Sequence, residues 1–114
     1  MLRAAPFMLL LVFTSAVAAS PVVLRAGDPS LDGNDYLISE QDFRDILKLC
    51  RARLGSGPSK SIYNVKVLRR DTVAAYFGPD KMQPVCLMLL RTKREWKIDH
   101  QSYGWYFPAM FKQD

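Results

Sequence analysis

One histidine, two cysteines, a spread of aspartates and two basic clusters are the side chains through which this chain could do chemistry. His100 follows Asp99, the residue types from which a general base and its orienting carboxylate are built. Neighbours on a strand point to opposite faces, so the two meet only across a bulge. No Ser or Cys nucleophile is identifiable beside them, and no catalytic residue is assigned. Asp28, Asp32 and Asp35 lack the alternate-residue spacing and closing glutamate of a calcium loop. A single His with two distant Cys falls short of the three or four ligands that hold zinc. "GSGPS" at 55–59 follows a helical pattern instead of joining strand to helix, so it reads as a connector and not a phosphate cradle. No metal or cofactor is implied.

The two cysteines, Cys50 and Cys86, are read through the compartment. The chain opens "MLRAAPFMLLLVFTSAVAAS": one positive residue, an apolar run over 7–13, then small residues with the A-x-A form at Ala16-Val17-Ala18. That is the layout of a cleaved signal peptide over 1–18, too short for the roughly 20 apolar residues of a membrane span. The expected protein is exported, periplasmic or secreted, with no stable span after cleavage. An oxidising compartment and an even count then predict a Cys50–Cys86 disulfide. It would close a loop of 37 residues, worth about 3–4 kcal/mol in the chain-entropy account.

These residues need elements to position them. Residues 19–36 are rich in Pro, Gly, Asp and Ser and read as an extended arm, with one short strand at Val22, Val23 and Leu24. Residues 37–114 form the domain. Ser39 is a good N-cap, Asp42 three residues on makes a capping box, and Ile38 with Phe43 makes a hydrophobic staple. Phe43, Ile46, Leu47, Cys50 and Leu54 recur at helical spacing, and Gly55 ends the helix. The period then changes to two. "YNVKV" and "VAAYFG" read as a hairpin around a polar turn at 69–72. "VCLMLLRT" is apolar nearly throughout, hence central and covered on both faces. "KR" turns it into "EWKID", and "SYGWYF" supplies a further strand before Pro108 and the tail "AMFKQD". The expected fold is α+β: one N-terminal amphipathic helix packed on a four- to five-stranded antiparallel meander.

The run "ISEQDFRDILKLCR", then "IYNVKVLRRDTVAAYFG", then Trp96-Lys97-Ile98 after a short turn, resembles small exported domains of the cystatin-like or nuclear-transport-factor-2-like type. The resemblance covers roughly 37–107 and implies a helix lying in the curve of an antiparallel sheet. The chain has one clear helix and no Gln-x-Val-x-Gly loop of the cystatin inhibitors, so no family site residue is carried over.

Charge is distributed unevenly. Residues 19–49 hold six acidic and three basic residues, net −3, while 50–114 hold twelve basic and five acidic, net +7. In an up-and-down meander the first and third turns share one end of the sheet. Arg69 and Arg70 in the first, with Arg91, Lys93 and Arg94 in the third, then gather into a basic edge suited to an anionic protein partner. Consecutive aromatics in "YGWYF" cannot all face inward, so Tyr103, Trp105 and Tyr106 join the expected partner surface. Without a nucleic-acid motif, base stacking is the weaker use of these rings. The sequence therefore reads as an exported non-enzymatic binding domain, of inhibitor or immunity type. The alternative is a small-molecule or lipid carrier with a cavity between helix and sheet.

Overall fold

The computed structural model describes residues 22–35 and 37–106; the signal-peptide reading over 1–18 and the tail beyond Pro108 lie outside them. In chain order the elements are β1 (Ser30–Asp32), α1 (Glu40–Leu54), a single 3₁₀ turn (Pro58–Lys60), β2 (Asn64–Arg69), β3 (Thr72–Phe77), β4 (Val85–Thr92) and β5 (Glu95–Tyr103). No helix among the described residues is long and apolar enough to cross a membrane.

The fold is α+β, but two details of the expectation are corrected. The sheet is mixed: its order is β1-β2-β3-β4-β5, with β1 parallel to β2 and every other pair antiparallel. The helix is not N-terminal to the sheet. It is the crossover that parallel neighbours require, because no tight turn can bring a chain back in the same direction. The fifth strand is thus β1, from the segment read as an arm. Val22, Val23 and Leu24 form no strand, and residues 95–103 form one continuous strand where two were expected.

Helix α1 begins as its sequence dictates. Ser39 Oγ accepts the Asp42 backbone N–H at 3.1 Å, and Asp42 Oδ2 accepts the Ser39 N–H at 3.0 Å. Phe43, Ile46, Leu47 and Cys50 turn inward on Val65, Val67, Val73, Ala75, Leu87 and Leu89, all at most 1% exposed. The space between helix and sheet is filled by these side chains. The opposite face of the same strands carries Leu68, Ala74, Tyr76, Cys86 and Met88, also buried.

Strand parity overturns the disulfide. Cys50 belongs to the helix-side core and Cys86 to the back-face cluster, so the sheet lies between two free, buried thiols. Burial pushes Cys50 up to about 12 and Cys86 up to about 11, which leaves both thiols protonated and unreactive at neutral pH. Folding is therefore independent of reductant. Denatured protein is expected to show two free thiols per chain in a thiol-reagent titration without prior reduction, and its native melting point should not move with dithiothreitol.

The segment 22–35 is knitted into the domain by side chains. The Arg44 guanidinium donates to both Asp28 carboxylate oxygens at 2.8 and 2.9 Å, to Glu40 at 2.9 Å and to the Val23 carbonyl at 3.0 Å. Asn64 donates to Ser30 Oγ and Asp32 across the β1–β2 pair. Gly33 closes β1 at φ +75°, where a Cβ would lie 2.5 Å from the Val67 carbonyl oxygen, so only glycine fits. The Arg44 guanidinium beside Asp28 lowers its carboxyl to about 2, outweighing the cost of burial, and the Arg25 backbone N–H adds to the effect. A depressed carboxyl stabilises above its unfolded value and loses that contribution as pH falls through its folded one. The Arg25 amide, which donates to Asp28 at 2.7 Å, should therefore hold its native resonance position down to about pH 4 and titrate away towards pH 2. In Asp28→Asn it should be displaced at neutral pH.

Candidate functional site

Asp42 is the point at which helix and sheet meet in polar contact. Besides its capping bond it accepts the Trp96 indole N–H at 3.1 Å and the Arg91 guanidinium at 2.9 Å. Burial raises its carboxyl, but the Ser39 N–H, the Trp96 indole and Arg91 outweigh that, and the group lies below its ordinary value. Arg91 lies over the Trp96 ring at 5.0 Å and donates onward to the Arg70 carbonyl at 3.1 Å, while its own backbone N–H reaches the Asp71 carbonyl at 2.9 Å. These contacts clamp the β2–β3 turn beside the β4–β5 turn.

The β2–β3 and β4–β5 turns thus lie at one end of the sheet, and their five cations take different roles. Arg91 is a structural cation. Arg69 faces Asp71 at 3.6 Å. The side chains of Arg70, Lys93 and Arg94 are exposed and have no hydrogen-bond or ion-pair partner among the described residues. Lys93 and Arg94 are the two loop residues of the β4–β5 hairpin, with φ of 51° and 74°. Two positive φ values make the primed turn that matches strand twist, and Asn-Gly is the pair that adopts it readily. Placing Lys-Arg there costs on the order of 1 kcal/mol per residue.

Behind this tip lies an open groove of about 340 Å³ between the helix and the hairpin. Asp45, Lys48, Leu49 and Ala52 line it from the helix, and Arg94, Glu95 and Trp96 from the hairpin. The Gln41 amide occupies Asp45 at 2.8 Å. Nothing in the spacing of these residues announced the groove; it arises because the exposed flank of the helix meets a turn that is distant in sequence.

The aromatic residues do not join the basic edge. They lie at the far end of β5, roughly 26 Å away at about 3.3 Å per residue. Trp105 folds back over Tyr76, ring centroids 4.3 Å apart, and its indole N–H donates to the Lys81 carbonyl at 3.2 Å. The Tyr106 backbone N–H donates to the Tyr76 hydroxyl at 2.8 Å, and the Tyr106 hydroxyl meets Ser102. Trp105 and Tyr106 are half-buried and close the second face of the sheet. Tyr103 remains 69% exposed, beside Met82 at 85%, in a separate groove of about 490 Å³.

His100 and Asp99 do meet. The register slips between Met88 and Leu89, leaving Asp99 as the extra residue of a bulge, and His100 Nδ1 lies 2.5 Å from Asp99 Oδ2. Both side chains are about half exposed, and the Ser102 hydroxyl is taken up by Tyr106. Trp96 and Ile98 both contribute to the helix-side core. The three aspartates of the acidic loop are spread: Asp28 is held by Arg44 and Asp32 by Asn64. No cluster of three or more metal-ligating side chains occurs among the described residues.

Comparison with protein families, with curated proteins and with solved structures finds no match to this chain.

Because Asp42 serves cap, indole and guanidinium together, Asp42→Ala should lower stability by about 2–3 kcal/mol, read from the urea midpoint. Asp42→Asn, which keeps an acceptor, should cost less.

Proposed function

We propose that this chain is an exported, non-enzymatic binding domain whose basic sheet end docks a protein with an anionic surface. The observation that carries the reading is the hairpin tip. A turn selected for stability would place Asn-Gly where Lys93 and Arg94 stand in left-handed conformation. Instead two long cations occupy those strained positions, exposed, with Arg70 brought alongside through Arg91. Strain of this kind, retained where a cheaper residue exists, accompanies function. Among the described residues the tip side chains have no ion-pair partner, so an incoming carboxylate has no such pair to displace. Export rests on the opening residues, which have the order of a signal peptide.

The reading separates stability from binding. Replacing Lys93→Asn with Arg94→Gly should raise stability by about 1–2 kcal/mol in urea unfolding, through relief of strain. The same variant should bind immobilised polyglutamate more weakly and with a smaller dependence on salt. As a control of equal net charge, Arg51, Arg53 and Lys60 are reversed to Glu and compared with Arg70, Lys93 and Arg94 reversed to Glu. Equal losses in both triples would reduce the attraction to overall charge and remove the tip from the account.

A further inference from the structure

We infer that the groove beside the tip seats one apolar side chain of the same acidic partner, so that the partner is an acidic segment carrying a hydrophobic anchor. This rests on the proposed role of the tip and specifies it. The rim of the groove holds two cations, Lys48 and Arg94, and two acids, Asp45 and Glu95. Those charges balance, and Asp45 is already bonded to Gln41, so the groove itself does not favour a carboxylate. Its apolar surface comes from Leu49, Ala52 and the Trp96 ring.

Two of those surfaces are fixed in place. Trp96 is 5% exposed and its indole is anchored on Asp42, while Leu49 packs against the helix-side core. The hollow persists because position 52, an exposed helix site, carries only a methyl group. A volume of about 340 Å³ lies at the small end of ligand pockets, which run from roughly 300 to 1,000 Å³. It has room for one apolar side chain of a partner. Arg94 belongs to both features, as a tip cation and as a wall of the groove. An extended segment with a carboxylate against Arg94 therefore brings its neighbouring side chains over Ala52. Charge at the tip governs encounter, and the anchor governs residence.

Two synthetic probes test this: an acetylated six-glutamate peptide, and the same peptide with one leucine inserted at its centre. Binding is measured by fluorescence anisotropy to the intact chain. The leucine peptide should bind about 10-fold tighter, the increment expected from burying much of one leucine side chain. Ala52→Trp should plug the groove, removing that 10-fold gain and leaving the six-glutamate affinity unchanged. Ala52→Leu, a smaller plug, should remove part of the gain; circular dichroism and the melting point establish that both variants fold. Lys93→Asn with Arg94→Gly should weaken both peptides. Equal affinity of the two peptides, or a leucine gain that survives Ala52→Trp, overturns the anchor while leaving the tip reading intact. Failure of both peptides to bind overturns the two together.

Discussion

Asp42 carries more of this architecture than any other polar residue described. It closes the first turn of the helix, orients Trp96 under that helix, and fixes Arg91, whose remaining donors hold the neighbouring turn. Hydrophobic contact alone would let a single helix slide along a sheet, because apolar burial has no direction. A carboxylate that meets three donors of fixed geometry removes that freedom. The position of the basic tip relative to the helix follows from it, and so does the shape of the groove between them.

A sheet with two apolar faces and one helix must find a second cover. Here the chain supplies it from within: after β5, Gly104 takes a positive φ and the following residues lie back over Tyr76. Trp105 is held there by stacking, by its bond to Lys81, and by Lys66 placed 5.2 Å over its ring. The tryptophan spends its surface on the molecule's own sheet. Among the described residues that leaves Tyr103 and Met82 as the exposed large apolar side chains at this end, and it separates the aromatic residues from the cations by the length of β5.

The sequence made the helix legible because its start, stripe and stop agree: Ser39 with Asp42, Phe43 to Leu54 at helical spacing, and Gly55. The four later strands and their turns were legible from period two, from the continuous apolar run of β4 and from polar punctuation. What was missed depended on contacts between distant segments. Ser30-Leu31-Asp32 is too short and too polar to read as a strand; it exists because Asn64 and the β2 backbone receive it. The cysteines agreed with a disulfide in number, yet a continuous apolar run such as "VCLMLL" hides which residues face the helix, and Cys86 faces away. The meeting of His100 with Asp99 was conditional on a bulge, and a one-residue slip in register leaves no local signal. For "YGWYF", the clue was present: β4 read as covered on both faces with only one helix available to cover it.

The parallel pairing of β1 with β2 gives this fold an uneven timetable. Every antiparallel pair joins consecutive strands through short turns or one modest loop, so these contacts form between residues near in sequence. Ser30 and Asn64 are 34 positions apart, and the loop that their pairing closes contains the whole helix. The entropy of closing that loop must be met before the pair gives anything back. The meander can assemble on local contacts, the helix dock on it, and β1 arrive last against an edge already built. A chain emerging from its N-terminus would hold its first strand in waiting until residue 64 and beyond were free, since β1 has no partner before then.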